Sequence, residues 1–236
     1  MKNVLKLVAL LWLMVTAGAH AQSKTIEKVV AVPTSKNINL NLKFGNDIKI
    51  TAWDKKDMSV KITYAINSGR LNDALLVKFN SDNEAAQVNI DLDNDLMQTG
   101  KEADCPDSSN RGFSTNSNGQ QVFTCATINY EIFVPRNANL EVETINGNIE
   151  IRGLTGPVKA KSISGFVDMS WPDKKGAAVS LKTITGEVYS DFNINFSNKQ
   201  EQIPMVGYQL KGDVNGSGSE INLESISNNI FLRKEK

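Results

Sequence analysis

A twelve-residue pattern occurs four times in the second half of the chain, and it constrains the fold more than any other feature. Each copy has two apolar residues at alternate positions, a Ser or Thr, an Ile, a small polar residue, a Gly or Asn, and soon afterwards an Ile or Val. The copies are LEVETINGNIEI (140–151), VKAKSISGFVDM (158–169), VSLKTITGEVYS (179–190) and INLESISNNIFL (221–232). A period near 20 residues is typical of proteins that stack one supersecondary unit on the next.

The Gly or Asn of each copy predicts a corner between two short strands. Apolar residues alternate up to the Ser or Thr and restart one residue out of phase at the Ile, which we expect to point inward. Strand alternation swaps faces only where the backbone turns, and Gly tolerates the positive φ of a tight bend, as Asn does less readily. We therefore predict corners at Gly147, Gly165, Gly186 and Asn228, with neighbouring hydroxyl and amide groups bonded to the bent backbone.

The spacing of these corners predicts one further copy. The steps are 18, 21 and 42 residues, and the last is twice 21, which places a degraded copy and a fifth corner at Gly207. Upstream, KFGNDIKI (43–50) resembles a repeat whose glycine is displaced by one residue. We expect an all-β fold, a single-stranded parallel β-solenoid with rungs of 18–21 residues and a strand-rich, less regular N-terminal half.

The first 21 residues have the three parts of a secretory signal peptide. Lys2 and Lys6 precede an apolar core at 7–17, and Ala19-His20-Ala21 forms the cleavage site. The apolar core is shorter than the roughly 20 residues that a membrane-spanning helix needs. We expect an exported protein, periplasmic or extracellular at the cell surface, with no integral membrane segment in its mature chain.

The mature chain, 22–236, has no Ser- or Pro-rich linker, and we expect one β-solenoid domain. Irregular N-terminal rungs would occupy 22–135, with a disordered-looking loop at 104–121, and regular repeats would occupy 136–236.

Loss of the signal peptide also removes the sole histidine, His20. The mature chain then lacks the residue needed for Ser-His-Asp or Cys-His catalysis and for imidazole metal ligation. From 26 basic and 26 acidic residues, the loss of Lys2 and Lys6 leaves a net charge of −2, which provides no basic field for nucleic acid. We expect no catalytic residue, no cofactor, no metal and no nucleic-acid partner.

Two cysteines remain, Cys105 and Cys125. In an oxidising compartment their default state is a disulfide, which here would close a long polar loop. The alternative, a nucleophilic thiolate, has no histidine partner.

Two segments resemble calcium loops. DLDNDLMQTGKE (91–102) has acids at suitable positions, but Leu96 stands where the sharp turn needs Gly. NGSGSEIN (215–222) resembles a glycine-rich calcium repeat but occurs once, out of register. We favour a strand surface for the first and a turn for the second.

Two further groups of residues have both a structural and a functional interpretation. Trp53 and Trp171 stand in the related stretches ITAWDKKD and MSWPDKKG. We favour a structural role, in which each indole covers the edge of the core, over a role in which it stacks on a sugar ring. Four carboxylates at outward strand positions could form a glycosidase pair, but lysines in neighbouring repeats favour a solvated face of mixed charge; they are Glu143, Glu150, Asp168 and Glu187.

One outward column becomes apolar towards the end of the chain. The residue after the inward Ile or Val is Glu150, Asp168, Tyr189, then Leu210 by extrapolation, then Phe231. Neighbouring strands lie about 4.8 Å apart, so these side chains would form a contiguous stripe. We predict that Tyr189, Leu210 and Phe231 form an interaction surface. The alternatives are that the stripe pairs with another subunit or is covered by the insertion at residues 193–205.

The run YEIFVPRNANLEVETINGNIEI (130–151), with the repeats that follow, resembles the bacterial "putative adhesin" family of exported β-strand-repeat proteins. The resemblance covers about residues 37–231 and is strongest over 130–190. It implies a parallel β-solenoid and supplies no catalytic residues. The expected function is a non-enzymatic structural or adhesin-like binding module whose partner is an envelope or cell-surface component, protein or glycan. The alternative is a polysaccharide lyase or hydrolase that uses surface carboxylates.

Overall fold

The computed structural model describes residues 23–107, 111–197, 207 and 209–235. The predicted signal peptide and much of the insertion at 193–205 lie outside these residues.

The described strands form two large sheets and one hairpin. In spatial order, the eight-stranded sheet contains β1 (Lys24–Val30), β4 (Met58–Ile66), β9 (Ala126–Pro135), β3 (Phe44–Trp53), β11 (Asn146–Arg152), β13 (Val167–Trp171), β19 (Ile230–Lys234) and β15 (Val188–Ser190). The nine-stranded sheet contains β16 (Asn195–Phe196), β17 (Gln209–Val214), β14 (Ala177–Thr183), β18 (Ser219–Ser225), β12 (Val158–Ser162), β10 (Asn139–Thr144), β2 (Asn37–Leu42), β6 (Ala86–Leu92) and β5 (Leu75–Ser81). The hairpin is β7 (Gly112–Thr115) and β8 (Gln121–Thr124).

Helical structure is confined to short segments. Helix α1 spans Asn94–Met97, and 3-10 turns span Asn67–Gly69, Asn72–Ala74 and Glu102–Asp104. The fold is therefore all-β, as the alternating sequence predicted.

Each repeat contributes one strand to each sheet. Leu140 and Val142 of β10 and Ile149 and Ile151 of β11 are fully buried members of one hydrophobic core, which both sheets share. Neither strand of a repeat can bury its apolar face alone, so the repeats depend on one another for stability.

The order in which the repeats stack differs from their order in the chain. Strand β12 pairs in parallel with β10 on one side and with β18 on the other, and β18 then pairs with β14. The fourth repeat thus lies between the second and the third. The inward residues of the third and fourth repeats are nearly equivalent, Val179 and Leu181 beside Ile221 and Leu223, so the local sequence does not choose the neighbour.

The prediction of a single-stranded parallel β-solenoid is wrong, because both sheets contain parallel and antiparallel strand pairs. The repeats pair in parallel, but antiparallel pairs join β1 to β4, β4 to β9, β5 to β6, β14 to β17 and β16 to β17. These strands cover the outermost parallel strands, whose unpaired backbone groups would otherwise recruit other chains. Because β17 runs antiparallel to β14, the segment after Gly207 does not form a fifth parallel repeat.

The prediction that KFGNDIKI is a displaced repeat is confirmed. Strands β2 and β3 stack on β10 and β11. Phe44 pairs with Asn146 and Asp47 with Asn148, so β3 carries one extra residue at the corner.

The corner glycines are required for two different reasons. Gly147 has a φ of 148°, which a side chain would strain. Gly165 and Gly186 have no such φ; instead a Cβ atom there would lie 1.9 Å from the Gly147 carbonyl oxygen and 2.1 Å from that of Asn228, respectively. The close approach of the next rung, not positive φ, excludes a side chain at these two positions.

In the second, third and fourth repeats, the hydroxyl of the Ser or Thr forms hydrogen bonds to the backbone of two neighbouring corners. Ser162 Oγ donates to the Gly147 carbonyl at 2.8 Å and accepts from Gly165 N at 2.8 Å. Ser225 repeats this arrangement between Gly165 O and Asn228 N, and Thr183 repeats it one rung further on. A continuous hydroxyl ladder therefore runs across the corners in rung order.

Replacement of Ser162 by alanine should lower the free energy of unfolding by about 2 kcal/mol, because a buried N–H and a buried carbonyl lose their partner. Urea denaturation measures the loss. Ser164→Ala is the matched control, since Ser164 lies exposed in the same bend. Equal stability of the two variants would contradict the ladder.

The Ile of the repeat does not point inward, contrary to prediction. Ile145 and Ile163 are 39% and 38% exposed, whereas Thr144 and Ser162 before them are buried. The phase change therefore occurs after the Ser or Thr and spans two outward residues.

The disulfide prediction is confirmed, since Cys105 and Cys125 are bonded. The loop that it closes is more ordered than expected, because the β7–β8 hairpin lies within it. Asn67 anchors the loop: its side chain donates to Phe123 O and accepts from Cys125 N, and its backbone N–H donates to Cys125 O.

Candidate binding surfaces

The outward column of the eight-stranded sheet changes from charged to aromatic along the stack. Lys49, Glu150, Asp168, Phe231 and Tyr189 are successive cross-strand partners on β3, β11, β13, β19 and β15. Tyr189 and Phe231, two members of the predicted stripe, thus lie side by side at the β15 edge of the sheet.

These two rings belong to a three-membered aromatic face, defined by Phe166, Phe231 and Tyr189. Tyr189 stacks on Phe231 with ring centroids 5.2 Å apart, and Phe166 meets Phe231 edge-on at 6.2 Å. Tyr189 is 47% exposed, and Phe166 and Phe231 are half-buried. The Tyr189 hydroxyl donates to Glu187, which raises the pKa of the phenol.

Leu210 does not belong to this face, which corrects the predicted stripe. It lies on β17 in the other sheet, opposite Leu181, and packs against the core. The extrapolation failed because the fourth repeat stacks directly beside the third, leaving no rung between Tyr189 and Phe231.

Two arginines border the aromatic face. Arg152 Nη1 lies 2.8 Å from Asp168 Oδ1, and Arg233 Nε lies 2.9 Å from Asp168 Oδ2. The Arg233 guanidinium also lies over the Phe231 ring, 4.8 Å from its centroid. Asp168 is only 8% exposed beneath them, so it fixes both guanidinium groups, and that of Arg233 lies against the aromatic face.

The four candidate carboxylates do not form one acidic cleft. Glu150 and Asp168 are cross-strand neighbours, but both pair with Arg152. Glu143 lies on β10 of the other sheet beside Lys159, and Glu187 accepts the Tyr189 hydroxyl. Their partners are those of a surface of mixed charge.

The two segments that resemble calcium loops have other structures. Asp91 pairs with Lys43 at 2.5 Å, which lowers the pKa of the carboxyl, and Asp93 caps helix α1 by accepting from Asp95 N and Leu96 N. Asn215 and Gly216, at positive φ, form the turn before β18. Among the described residues, no three His, Cys, Asp or Glu side chains come together in a metal-binding cluster.

The two related tryptophans differ in their orientation. Each indole donates to the carbonyl four residues on, Trp53 to Asp57 and Trp171 to Lys175. Trp171 is fully buried, as the structural interpretation predicted, but Trp53 is half-exposed. Trp53 stands three residues after the inward Ile50, whereas Trp171 stands two after the inward Met169, so strand alternation places them on opposite faces.

Trp53 lines a groove of about 710 Å³, which we call the Trp53 groove. Its other lining residues come from four segments: the one before β2, the turn after β3, the end of β9 with the turn after it, and the connection between β11 and β12. They are Val32, Pro33, Thr34, Lys36, Asp54, Lys55, Lys56, Pro135, Arg136, Asn137 and Thr155. Four cationic side chains and one carboxylate thus surround the indole.

Sequence reasoning missed Phe166, the two arginines and the basic character of the Trp53 groove. Phe166 directly precedes the inward Val167, so alternation alone would have placed it outside. The groove could not be found in this way, because it joins residues from four segments distant in sequence.

Among the helices that the structure describes, none has the length and apolar character needed to cross a membrane.

Comparisons with known proteins give only distant likenesses. No family model and no curated protein match the chain. Solved structures that resemble it include a "putative cell adhesion protein" from Clostridium sporogenes ATCC 15579, with TM-score 0.49 and 14% identity over 91% of this chain and 100% of the other. Another is a "putative adhesin" from Bacteroides fragilis NCTC 9343, with TM-score 0.31 and 11% identity over 90% and 97%. At this distance neither likeness assigns a function, and membership in the family that the repeats resemble stays a prediction.

Proposed function

We propose that the protein is an exported, non-enzymatic, adhesin-like binding module of the cell envelope or cell surface. Residues 22–236 would act as one domain, and the partner would be an envelope or cell-surface component, protein or glycan. The observation that carries the proposal is the aromatic face of Phe166, Phe231 and Tyr189 on the outside of the eight-stranded sheet.

The composition of this face favours binding. Tyrosine and arginine are enriched among the residues that dominate binding energy, and Tyr189 presents an apolar ring together with a polar tip. Arg233 and Arg152, held by Asp168, supply charge at its border. Aromatic side chains that served only the core would point inward, as Trp171 does.

The position of the face also favours access. It lies at the end of the sheet where β15, a strand of three residues, is the outermost strand. Among the described strands none lies beyond β15 in this sheet, and the ring of Tyr189 is well exposed there.

The available chemistry supports the proposed non-enzymatic role. The mature chain lacks histidine, and the candidate carboxylates are held in ion pairs or hydrogen bonds with neighbouring side chains. No observation favours the alternative of a polysaccharide lyase or hydrolase.

The proposal predicts that the double variant Tyr189→Ser/Phe231→Ser loses its partner. The mature protein would be immobilised and tested against a glycan array and against solubilised envelope components, with bound species quantified. Removal of two aromatic contact residues should weaken binding by at least tenfold.

Phe113→Ser is the control, because Phe113 is highly exposed but lies in the β7–β8 hairpin, away from the aromatic face. Circular dichroism verifies that each variant is folded. If the double variant and the control recover the same species in equal amounts, the aromatic face is not the binding surface.

A further inference from the structure

The Trp53 groove carries an excess of positive charge that the rest of the described chain does not neutralise. Asp54, the single carboxylate in its lining, pairs with Arg136 at 3.2 Å. Lys36, Lys55 and Lys56 are exposed and form no ion pair within the part of the chain that the structure describes. Three ammonium groups without an ion-pair partner in the described chain therefore border one groove, in a protein whose mature net charge is slightly negative.

The aromatic wall of the groove is held in place before any ligand arrives. The indole nitrogen of Trp53 donates to Asp57 O at 2.8 Å, and Phe133 stacks against the ring at 5.4 Å. Both contacts fix the orientation of the indole, so little conformational entropy is lost when a ligand packs on it.

In this groove a positively charged side chain lies over an aromatic ring. The Lys55 ammonium lies 4.6 Å from the centroid of the Trp53 ring. A ligand that pairs an anionic group with Lys55 can therefore place its neighbouring atoms against the indole.

We propose that the Trp53 groove binds an acidic polysaccharide, with uronic-acid carboxylates paired to Lys36, Lys55 and Lys56. The apolar C–H face of a sugar ring packs on Trp53. Arg136 is a positioning residue, since its ion pair with Asp54 and its hydrogen bond to Gly153 O hold the wall formed by the turn after β9.

The surrounding strands favour a glycan over an acidic peptide. An extended peptide commonly binds by adding a strand to a free sheet edge. Strands β2, β3, β9 and β11, which lead into or out of the groove lining, each lie between two paired strands. The edge strand β1 ends at Val30, before the first lining residue, Val32. The groove volume of about 710 Å³ lies within the roughly 300–1,000 Å³ of small-ligand sites and accommodates sugar units rather than a folded partner.

Microscale thermophoresis with the full mature protein tests this proposal. The probes are oligogalacturonate and alginate oligomers, fully methyl-esterified oligogalacturonate and poly-L-glutamate. The esterified probe keeps the sugar without the charge, and poly-L-glutamate keeps the charge without the sugar. We expect at least one uronate oligomer to bind, and the ester and poly-L-glutamate to bind at least tenfold more weakly.

The variant Lys55→Gln/Lys56→Gln should weaken uronate binding by about tenfold at low ionic strength, and less in high salt, since exposed pairs are screened. Lys78→Gln/Lys101→Gln is the control, because both lysines are exposed and lie outside the groove lining. Trp53→Phe keeps an aromatic ring but loses the indole bond to Asp57, and should weaken binding severalfold.

Four results would overturn the proposal. These are no binding of either uronate oligomer, equal binding of the methyl ester, equal binding of poly-L-glutamate, and unchanged affinity of Lys55→Gln/Lys56→Gln relative to its control. The site is separate from the aromatic face, so Tyr189→Ser/Phe231→Ser should bind the uronate oligomers as well as the unaltered protein does.

Discussion

Replacing Gly165 by alanine should lower the free energy of unfolding by about 3 kcal/mol or more, which is at the upper end for a single added methyl group. The new Cβ would lie 1.9 Å from the Gly147 carbonyl oxygen and 2.4 Å from its carbonyl carbon. Both are backbone atoms of the neighbouring rung, so no side chain can rotate away to make room. The two rungs would have to separate at the corner, and Ser162 would lose its bond to Gly147.

Urea denaturation followed by tryptophan fluorescence measures this loss, because Trp171 is buried in the strand that follows the corner. Gly112→Ala is the matched control. Its Cβ would meet the Thr124 hydroxyl at 3.2 Å and no backbone atom closer than 3.8 Å, so its cost should be below about 0.5 kcal/mol. A cost below about 1 kcal/mol for Gly165→Ala would contradict the close approach as the reason for this glycine.

Removing the disulfide should have an effect of similar size. The bond joins cysteines 20 residues apart, and the loss of loop-closure constraint on the unfolded chain corresponds to about 3 kcal/mol. The variant Cys105→Ala/Cys125→Ala should therefore show a lower urea midpoint with a steeper dependence on denaturant, since its unfolded chain is less compact.

Reduction of the unaltered protein with dithiothreitol provides the control, because it breaks the same bond without changing a side chain in the sequence. Both treatments should lower stability by the same amount. In the folded state, the hydrogen bonds of Asn67 to Phe123 and Cys125 hold the loop in place. We therefore expect the sheets to persist without the disulfide. Unchanged stability after either treatment would show that the loop is already restrained in the unfolded chain.

The sequence predicted the local structure of the repeats well. Alternating apolar residues gave the strands, and the change of phase at each Gly or Asn marked the passage from one sheet to the other. The inference failed at Ile145 and Ile163, because two consecutive inward residues and two consecutive outward residues at a corner produce the same change of phase. The burial of Thr144 and Ser162 distinguishes them, and a hydroxyl is buried only where it has partners.

The candidate surfaces were predicted less completely. Tyr189 and Phe231 were placed in one outward column from their equivalent positions in two repeats, but Leu210 was inserted between them by assuming that rungs follow chain order. Strict counting of strand alternation would have separated the outward Trp53 from the buried Trp171. The lysines beside Trp53 have no such signal, since Lys36 reaches the groove from a different strand connection.

By itself, the sequence determined the all-β character, the corner of each repeat and the pairing of the two cysteines, because each depends on residues close in the chain or on composition. Only the tertiary structure decided the stacking order, the antiparallel strands at the ends of the stack and the residues that share the Trp53 groove. Third and fourth repeats present nearly the same apolar residues to a neighbour, so the choice between them depends on how the remaining chain closes around the core.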